Sequence, residues 1–142
     1  MKKIITASLD AGQYNATASV GLFLLRLAGG ALMLTHGWGK MLKLFGPDPI
    51  TFADPLGISP EISLALAVLA EVVCAILLIL GLFTRLASIP LIVTMFVAAF
   101  IVHAGDPFGK VEFPLLYMAI YLGILLLGAG RYSADYYISK KK

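Results

Sequence analysis

The sequence predicts an all-α polytopic membrane protein, an antiparallel bundle of four transmembrane helices in a single domain of residues 1–142. Hydrophobic residues make up 60% of the chain and charged residues only 13%, whereas soluble domains carry about 45–50% apolar and roughly 25% charged residues. A soluble chain of this length could not bury so much apolar surface. Membrane lipid is therefore the expected surrounding of the helices.

Four apolar segments are long enough to cross a bilayer, which requires about 20 mostly apolar residues. They fall at about residues 18–37, 60–83, 86–102 and 113–129. The short linkers after the second and third segments favour antiparallel packing of neighbours. Ser59 and Pro60 are typical of a helix start, Thr84 is the expected cap of the third helix, and Ser133 can cap a short surface helix. Residues 41–59 should form an ordered or partly re-entrant loop.

The lysine and arginine distribution predicts the orientation of the helices, because cytoplasmic loops carry an excess of both. Four spans place both termini on one side, and this side carries seven of these residues against three on the other. The seven are Lys2, Lys3, Arg85, Arg131, Lys140, Lys141 and Lys142, and the three are Lys40, Lys43 and Lys110. Both termini should therefore be cytoplasmic. No basic face accompanies the basic terminus, so nucleic acid is not an expected partner.

Two charged residues, Arg26 and Glu71, fall inside predicted spans. A charge at mid-bilayer costs about 2.5–3.5 kcal/mol on insertion scales and usually faces the bundle interior. Arg26 lies about eight residues, roughly 12 Å, into the first span, and Glu71 about eleven residues into the second. Because these spans are antiparallel neighbours, we expect an ion pair between them. The pair either fixes the helix register or lines a site for a ligand, a proton or a quinone headgroup.

Two tyrosines, Tyr117 and Tyr121, lie one turn apart on the fourth span. Spacing of this kind is typical of ordinary bundle packing. The alternative is that the two rings line a slot for a flat ring or an isoprenoid tail, next to the expected ion pair. The sequence leaves both interpretations open.

A polar cluster, the outward-mouth cluster, falls at the predicted outer ends of the spans. It contains His36, Lys40, His103, Asp106 and Glu112. Its histidines either exchange protons near neutral pH or are interfacial residues that bond to loop carbonyls. The spacing matches no standard set of metal ligands, and we expect no metal site.

Signatures of soluble catalysis are missing from the sequence. The glycines form no dinucleotide or phosphate fingerprint, and there is neither a Cys-x-x-Cys pair nor a nucleophile elbow. The one cysteine is Cys74. We expect the chain to catalyse no reaction alone and to hold no intrinsic cofactor, although an oxidoreductase subunit remains an open interpretation.

Four stretches of sequence together carry a resemblance to a known family. They are LLRLAGGALMLTHGWGKM, AEVVCAILLILGLFTRLAS, MFVAAFIVHAGDPF and GAGRYSADYY. On these stretches the chain resembles the DoxX family of small bacterial membrane proteins over about residues 20–136. The resemblance implies a four-helix fold in the bacterial inner membrane. It also implies a link to redox systems, since the namesakes are membrane subunits associated with thiosulfate:quinone oxidoreductase and others are accessory to thiol or oxidative-stress systems.

Three functions compete at this point. The first is an accessory membrane component of a quinone- or thiol-linked redox system, with a quinone as the implied cofactor. The second is a non-enzymatic scaffold or assembly subunit of a larger membrane complex. The third is a small transporter or proton path, which four helices would support only as a homo-oligomer. The first two require a protein partner.

Overall fold

The chain is described by a computed structural model over residues 11–12 and 14–140, and every regular element in these ranges is a helix. The four long helices, α1 to α4, are Ala16–Leu44, Pro60–Leu80, Thr84–Val102 and Phe108–Leu127. A short helix, α5, covers Ala134–Ser139. All four long helices have the length and hydropathy to cross a membrane, which confirms the predicted fold class. Lys2, Lys3, Lys141 and Lys142, which contribute to the predicted orientation, lie outside the described residues.

The first helix is longer than the sequence predicts. It begins after Asn15, whose side chain accepts a hydrogen bond from the Ala18 N–H at 2.8 Å. It then continues past Gly37 and Gly39 to Leu44. At 1.5 Å per residue α1 is about 43 Å long, whereas the hydrocarbon core is about 30 Å thick. The surplus is long enough for the turns that carry Lys40 to extend past the core.

The long helices form an up-down-up-down bundle. α1 packs against α2 and α4, and α3 packs against the same two helices. We call the end that holds the C-terminus of α1, residues 45–59 and the turn at residues 103–107 the mouth end. The opposite end, with the α2–α3 turn and α5, is the tail end. The outer faces carry large apolar side chains, up to 73% exposed at Leu126, and such continuous apolar surface indicates contact with lipid.

Two glycines of α1 let this helix approach α2 closely. A methyl group added at Gly30 would lie 2.9 Å from the Ala75 carbonyl oxygen, and one added at Gly37 would lie 2.9 Å from the backbone carbon of Glu71. Small residues are the common means by which membrane helices pack closely. These two contacts fix which residues of α1 and α2 lie at the same level in the bundle.

The tail end is closed by a turn and by the C-terminal helix. α2 ends in a Schellman motif, with Gly81 at φ +66° and the Leu82 N–H donating to the Leu77 carbonyl at 2.9 Å. Asp135 accepts hydrogen bonds from the N–H groups of Phe83 and Thr84 at 2.7 and 2.9 Å. α5 therefore docks on the start of α3.

Three capping predictions can be compared with these contacts. Ser59 caps α2 and Ser133 caps α5, as the sequence predicts. The predicted Thr84 cap is wrong. The capping position of α3 is held by Phe83, which has no side-chain acceptor, and Thr84 is the first helical residue. The distant Asp135 carboxylate supplies the missing acceptor instead.

Candidate functional site

The predicted ion pair between Arg26 and Glu71 does not form, and the prediction is wrong. The buried Arg26 guanidinium donates through Nη1 to the Leu78 carbonyl at 3.2 Å and through Nη2 to the Tyr132 carbonyl at 2.5 Å. Glu71 instead accepts a hydrogen bond from Lys40, with Nζ and Oε1 2.5 Å apart. The two charges therefore belong to two separate sites.

Side-chain direction and helix register explain why the two charges separate. Helical side chains lean toward the N-terminus of their own helix. In antiparallel helices they therefore lean to opposite ends, so Arg26 reaches the tail end and Glu71 reaches the mouth end. The register adds to this divergence, because Glu71 packs level with Gly37, about eleven residues or 16 Å along α1 from Arg26.

Arg26 is an anchor of the tail end. Its guanidinium is 0% exposed and also interacts electrostatically with Asp135. Its hydrogen bonds join α1 to the last turn of α2 and to the segment before α5. These contacts assign Arg26 a role in stabilising the fold.

A cavity of about 330 Å³ lies at the mouth end, between α2, α3 and the loop over them. Its roof is formed by the loop segment from Phe52 to Leu56, and its walls are mainly apolar residues of α2 and α3. The polar residues in its lining are Lys40, Ser63, Glu71, Thr94 and His103. This combination of an apolar wall and few polar groups is typical of small-molecule sites.

Glu71 is the chemically distinctive residue of this cavity. Its side chain is 3% exposed, and its second carboxylate oxygen, Oε2, is buried without a hydrogen-bond partner among the described residues. A buried acceptor left unpaired costs about 1–3 kcal/mol, and more when charged. Such an atom in a cavity wall is a candidate contact for a ligand.

The cavity is also bordered by two irregular helical segments. Residues Leu69–Cys74 of α2 and Ala98–Val102 of α3 are wound as π-helix, and they contribute Glu71, Ala98 and Val102 to the lining. π-helical turns are rare and often occur at functional sites. Hydropathy and propensity gave no signal for either segment.

The loop over the cavity is held in place by Asp54. Its carboxylate accepts hydrogen bonds from the Ser63 hydroxyl at 2.8 Å and from the Ile58 N–H at 3.1 Å. The hydrogen bond from Ser63, followed by those from backbone N–H groups, lowers the pKa of Asp54. Lys43 also donates to the Thr51 carbonyl. The loop is therefore ordered, as its composition predicts, and tied to both α1 and α2.

His103 brings a second polar group to the rim of the cavity. Its Nδ1 atom lies 2.8 Å from Asp106 Oδ2, and Lys110 Nζ lies 3.4 Å from the same oxygen. The hydrogen bond to His103, and then the contact with Lys110, lower the pKa of Asp106. Asp106 thus fixes the orientation of the imidazole that lines the cavity.

We predict that the Asp106 contacts stabilise the turn at residues 103–107 at neutral pH and fail in acid. Because the folded pKa of Asp106 lies below its unfolded value, about 3.9, the contribution is complete above that value and is lost as pH falls through the folded pKa. Hydrogen exchange of this turn should show greater protection in the wild type than in Asp106→Asn at pH 6, and the difference should shrink as pH falls below about 3.9. A difference independent of pH would contradict this assignment.

The remaining predicted site residues lie elsewhere. His36 bonds through Nδ1 to the Leu32 carbonyl at 3.0 Å, and its ring lies edge-on to Tyr117 at 6.1 Å. Tyr117 stacks on Tyr121, whose hydroxyl donates to the Gly29 carbonyl at 3.0 Å. Tyr117 and Tyr121 pack between α1 and α4, and the exposed His36 contacts the edge of this pair. They do not line the mouth cavity, and neither does the exposed Glu112.

Sequence reasoning named most of the cavity's polar residues without placing them together. Of the outward-mouth cluster, Lys40 and His103 line the cavity, and Asp106 supports His103. Glu71 was assigned to mid-bilayer with the wrong partner. The signal that could have corrected it is Gly37, the small residue of α1 against which Glu71 packs.

The fold and the cavity define a class of protein: a four-helix, multi-pass membrane protein with a polar ligand-sized cavity at one end. The model of the DoxX family matches residues 21–104, and the chain belongs to this family. The match includes the whole lining of the cavity. An uncharacterized protein of Haemophilus influenzae is 34% identical over 128 residues, which cover 84% of this chain and 92% of that protein. No solved structure matches the chain.

Proposed function

We propose that the chain is an accessory membrane subunit of a quinone-linked redox system, and that its mouth cavity binds a quinone headgroup. The observation that carries this proposal is the buried, unpartnered Glu71 Oε2 atom in the wall of a largely apolar cavity of about 330 Å³. Ligand sites usually measure about 300–1,000 Å³ and combine apolar walls with a few polar contacts.

The residues of the cavity can form the hydrogen bonds that a quinone headgroup requires. The Lys40 ammonium is a donor, and Glu71 Oε2 is an acceptor. Leu66 and Val93 belong to the apolar wall and are also 48% and 54% exposed on the outer faces of α2 and α3. The wall is therefore continuous with the lipid-facing surface, which suits a molecule with a polar ring and an apolar tail.

The cavity favours a quinone over a thiol-linked reaction. Cys74 belongs to the buried core with Met33 and Leu78 and is not part of the cavity lining. A bound quinone would supply two-electron, two-proton chemistry. The chain itself would orient the headgroup through Lys40 and Glu71, while a partner protein takes up or delivers the electrons.

The proposed setting is the bacterial inner membrane, with the tail end cytoplasmic and the mouth end outside. The excess of lysine and arginine on the terminal side of the sequence supports this orientation. In this setting His103 lies at the rim of the cavity on the outer side.

The test is quinone binding to the purified full chain in lipid nanodiscs. Replacement of Glu71 by leucine should weaken the binding of a decyl-substituted benzoquinol at least about tenfold, because a hydrogen bond to a charged group contributes about 1.5–3 kcal/mol. The matched control is Glu112→Leu, at an exposed glutamate outside the lining, which should bind as the wild type does.

The double variant Glu71→Leu with Lys40→Met removes both charges and so avoids an unpaired ammonium. It should bind as weakly as the single variant while melting at a temperature closer to that of the wild type. Saturable binding of equal strength in all four proteins would overturn the proposal. A chain that binds no quinone in either redox state, yet copurifies with a membrane complex at fixed stoichiometry, would support the scaffold alternative.

A further inference from the structure

We propose that the mouth cavity selects headgroups that donate hydrogen bonds, so that of a quinone couple it holds the hydroxyl-bearing reduced form in preference to the carbonyl form. This inference rests on the function proposed above and specifies which redox state the site prefers. It follows from an inventory of the donors and acceptors that the lining residues carry.

Glu71 lines the cavity and carries an acceptor without a partner. Its Oε1 atom is occupied by the Lys40 ammonium at 2.5 Å, and Oε2 is the buried atom without a partner among the described residues. An ionised carboxylate can only accept hydrogen bonds. A ligand hydroxyl placed there satisfies Oε2, whereas a ligand carbonyl has no proton to donate and leaves Oε2 unsatisfied.

Two other lining residues also present acceptors. The Ser63 hydroxyl donates its proton to Asp54 at 2.8 Å, so its remaining capacity toward the cavity is that of an acceptor. When neutral His103 donates Nδ1–H to Asp106, its Nε2 atom is an acceptor. Three residues of the cavity lining thus carry lone pairs that these contacts leave unused.

Lys40 supplies the charged donor of the cavity. Unlike Glu71 Oε2, its ammonium has hydrogen-bond partners without a ligand. Its ammonium already donates to Glu71, and the side chain is 31% exposed, so its other protons can reach water. The hydroxyl of Thr94 can rotate to donate or accept. The atom that most needs a partner is therefore the acceptor Glu71 Oε2, and it decides the preference.

Preferential binding of the reduced form has a thermodynamic consequence. Each tenfold difference in affinity between the two forms raises the midpoint potential of the bound couple by about 30 mV for a two-electron reaction. The site would therefore favour the hydroquinone state of a bound couple relative to the couple free in lipid.

Three probes with one ring and one decyl tail test the inference: the hydroquinone, its dimethyl ether and the benzoquinone. Their dissociation constants should be measured by anaerobic titration calorimetry on the full chain in nanodiscs, with empty nanodiscs as the background. The wild type should bind the hydroquinone at least about tenfold more tightly than the other two. The ether keeps the ring and both oxygens and replaces the donated protons by methyl groups, while the benzoquinone lacks the protons without added volume.

The variant Glu71→Gln keeps the size of the side chain and changes the hydrogen-bonding capacity at the position of Oε2. A glutamine can turn its NH₂ group toward the cavity and become a donor, so the preference should disappear or reverse toward the benzoquinone. Glu112→Gln, at an exposed position, should retain the wild-type preference. If Glu71→Gln does not fold, the comparison of the hydroquinone with both the benzoquinone and the ether on the wild type still decides.

The outcomes separate the two proposals. If no probe binds above the background, the proposed function fails. If the benzoquinone or the ether binds as tightly as the hydroquinone, the quinone site stands and the selection of donors is overturned. A preference that survives in Glu71→Gln would likewise overturn the role given to Oε2.

Discussion

Replacement of Arg26 by methionine should lower the free energy of unfolding by about 3–5 kcal/mol, the range for breaking a buried charged interaction. Methionine preserves much of the length and apolar volume but donates no hydrogen bond, so the Leu78 and Tyr132 carbonyls lose their donors. Asp135, which interacts with the guanidinium, loses a favourable charge. The tail end should consequently loosen around α5.

Unfolding in mixed detergent micelles with increasing dodecyl sulfate measures this effect, and limited proteolysis reports on α5. The control is Arg131→Met, at an exposed arginine. Arg26→Lys should fall between the wild type and the methionine variant, because a single ammonium cannot reproduce the planar fork of guanidinium donors. Wild-type stability in Arg26→Met would show that the anchor is dispensable.

The second large effect concerns Gly37, where α1 contacts α2. A methyl group added there would lie 2.8 Å from Val72 Cγ2 and 2.9 Å from Glu71 Cβ. Relief of this overlap must move α1 away from the segment that carries Glu71. Gly37→Ala should therefore destabilise the chain by about 1–3 kcal/mol, as overpacking usually does, and should weaken quinol binding because it separates Lys40 from Glu71.

Gly39 provides a control two residues along the same helix. A methyl group added there meets no atom within 4 Å, and alanine is better than glycine in a helix by about 1 kcal/mol. Gly39→Ala should therefore be as stable as the wild type or more so, with unchanged binding. Equal melting temperatures and equal affinities in the two alanine variants would contradict the close contact at Gly37.

The fold was predictable from the sequence because it depends on the composition of long segments rather than on single contacts. Four long apolar stretches require lipid, and their lengths and short linkers determine the bundle. The end of α1 was placed too early because Gly37 and Gly39 look like a helix end. In the structure Gly37 is a packing residue within the helix.

The site was less predictable, because it depends on the direction of side chains and on the register between helices. Arg26 and Glu71 were both recognised as costly charges, yet hydropathy does not show that their side chains point to opposite ends. The role of Asp135 requires α5 to fold back onto the start of α3. The sequence alone places this residue in a polar terminal segment, which gives no indication of such a contact.

The fastening of the loop by Asp54 bears on how a ligand would reach the cavity. Entry through the roof would require separation of Asp54 from Ser63 and of Lys43 from Thr51, whereas the wall that carries Leu66 adjoins the acyl chains. The rate at which a ligand reaches the cavity would then depend on the ligand's concentration in the bilayer rather than in water. For the proposed quinone, occupancy would follow the redox state of the pool dissolved in the surrounding membrane.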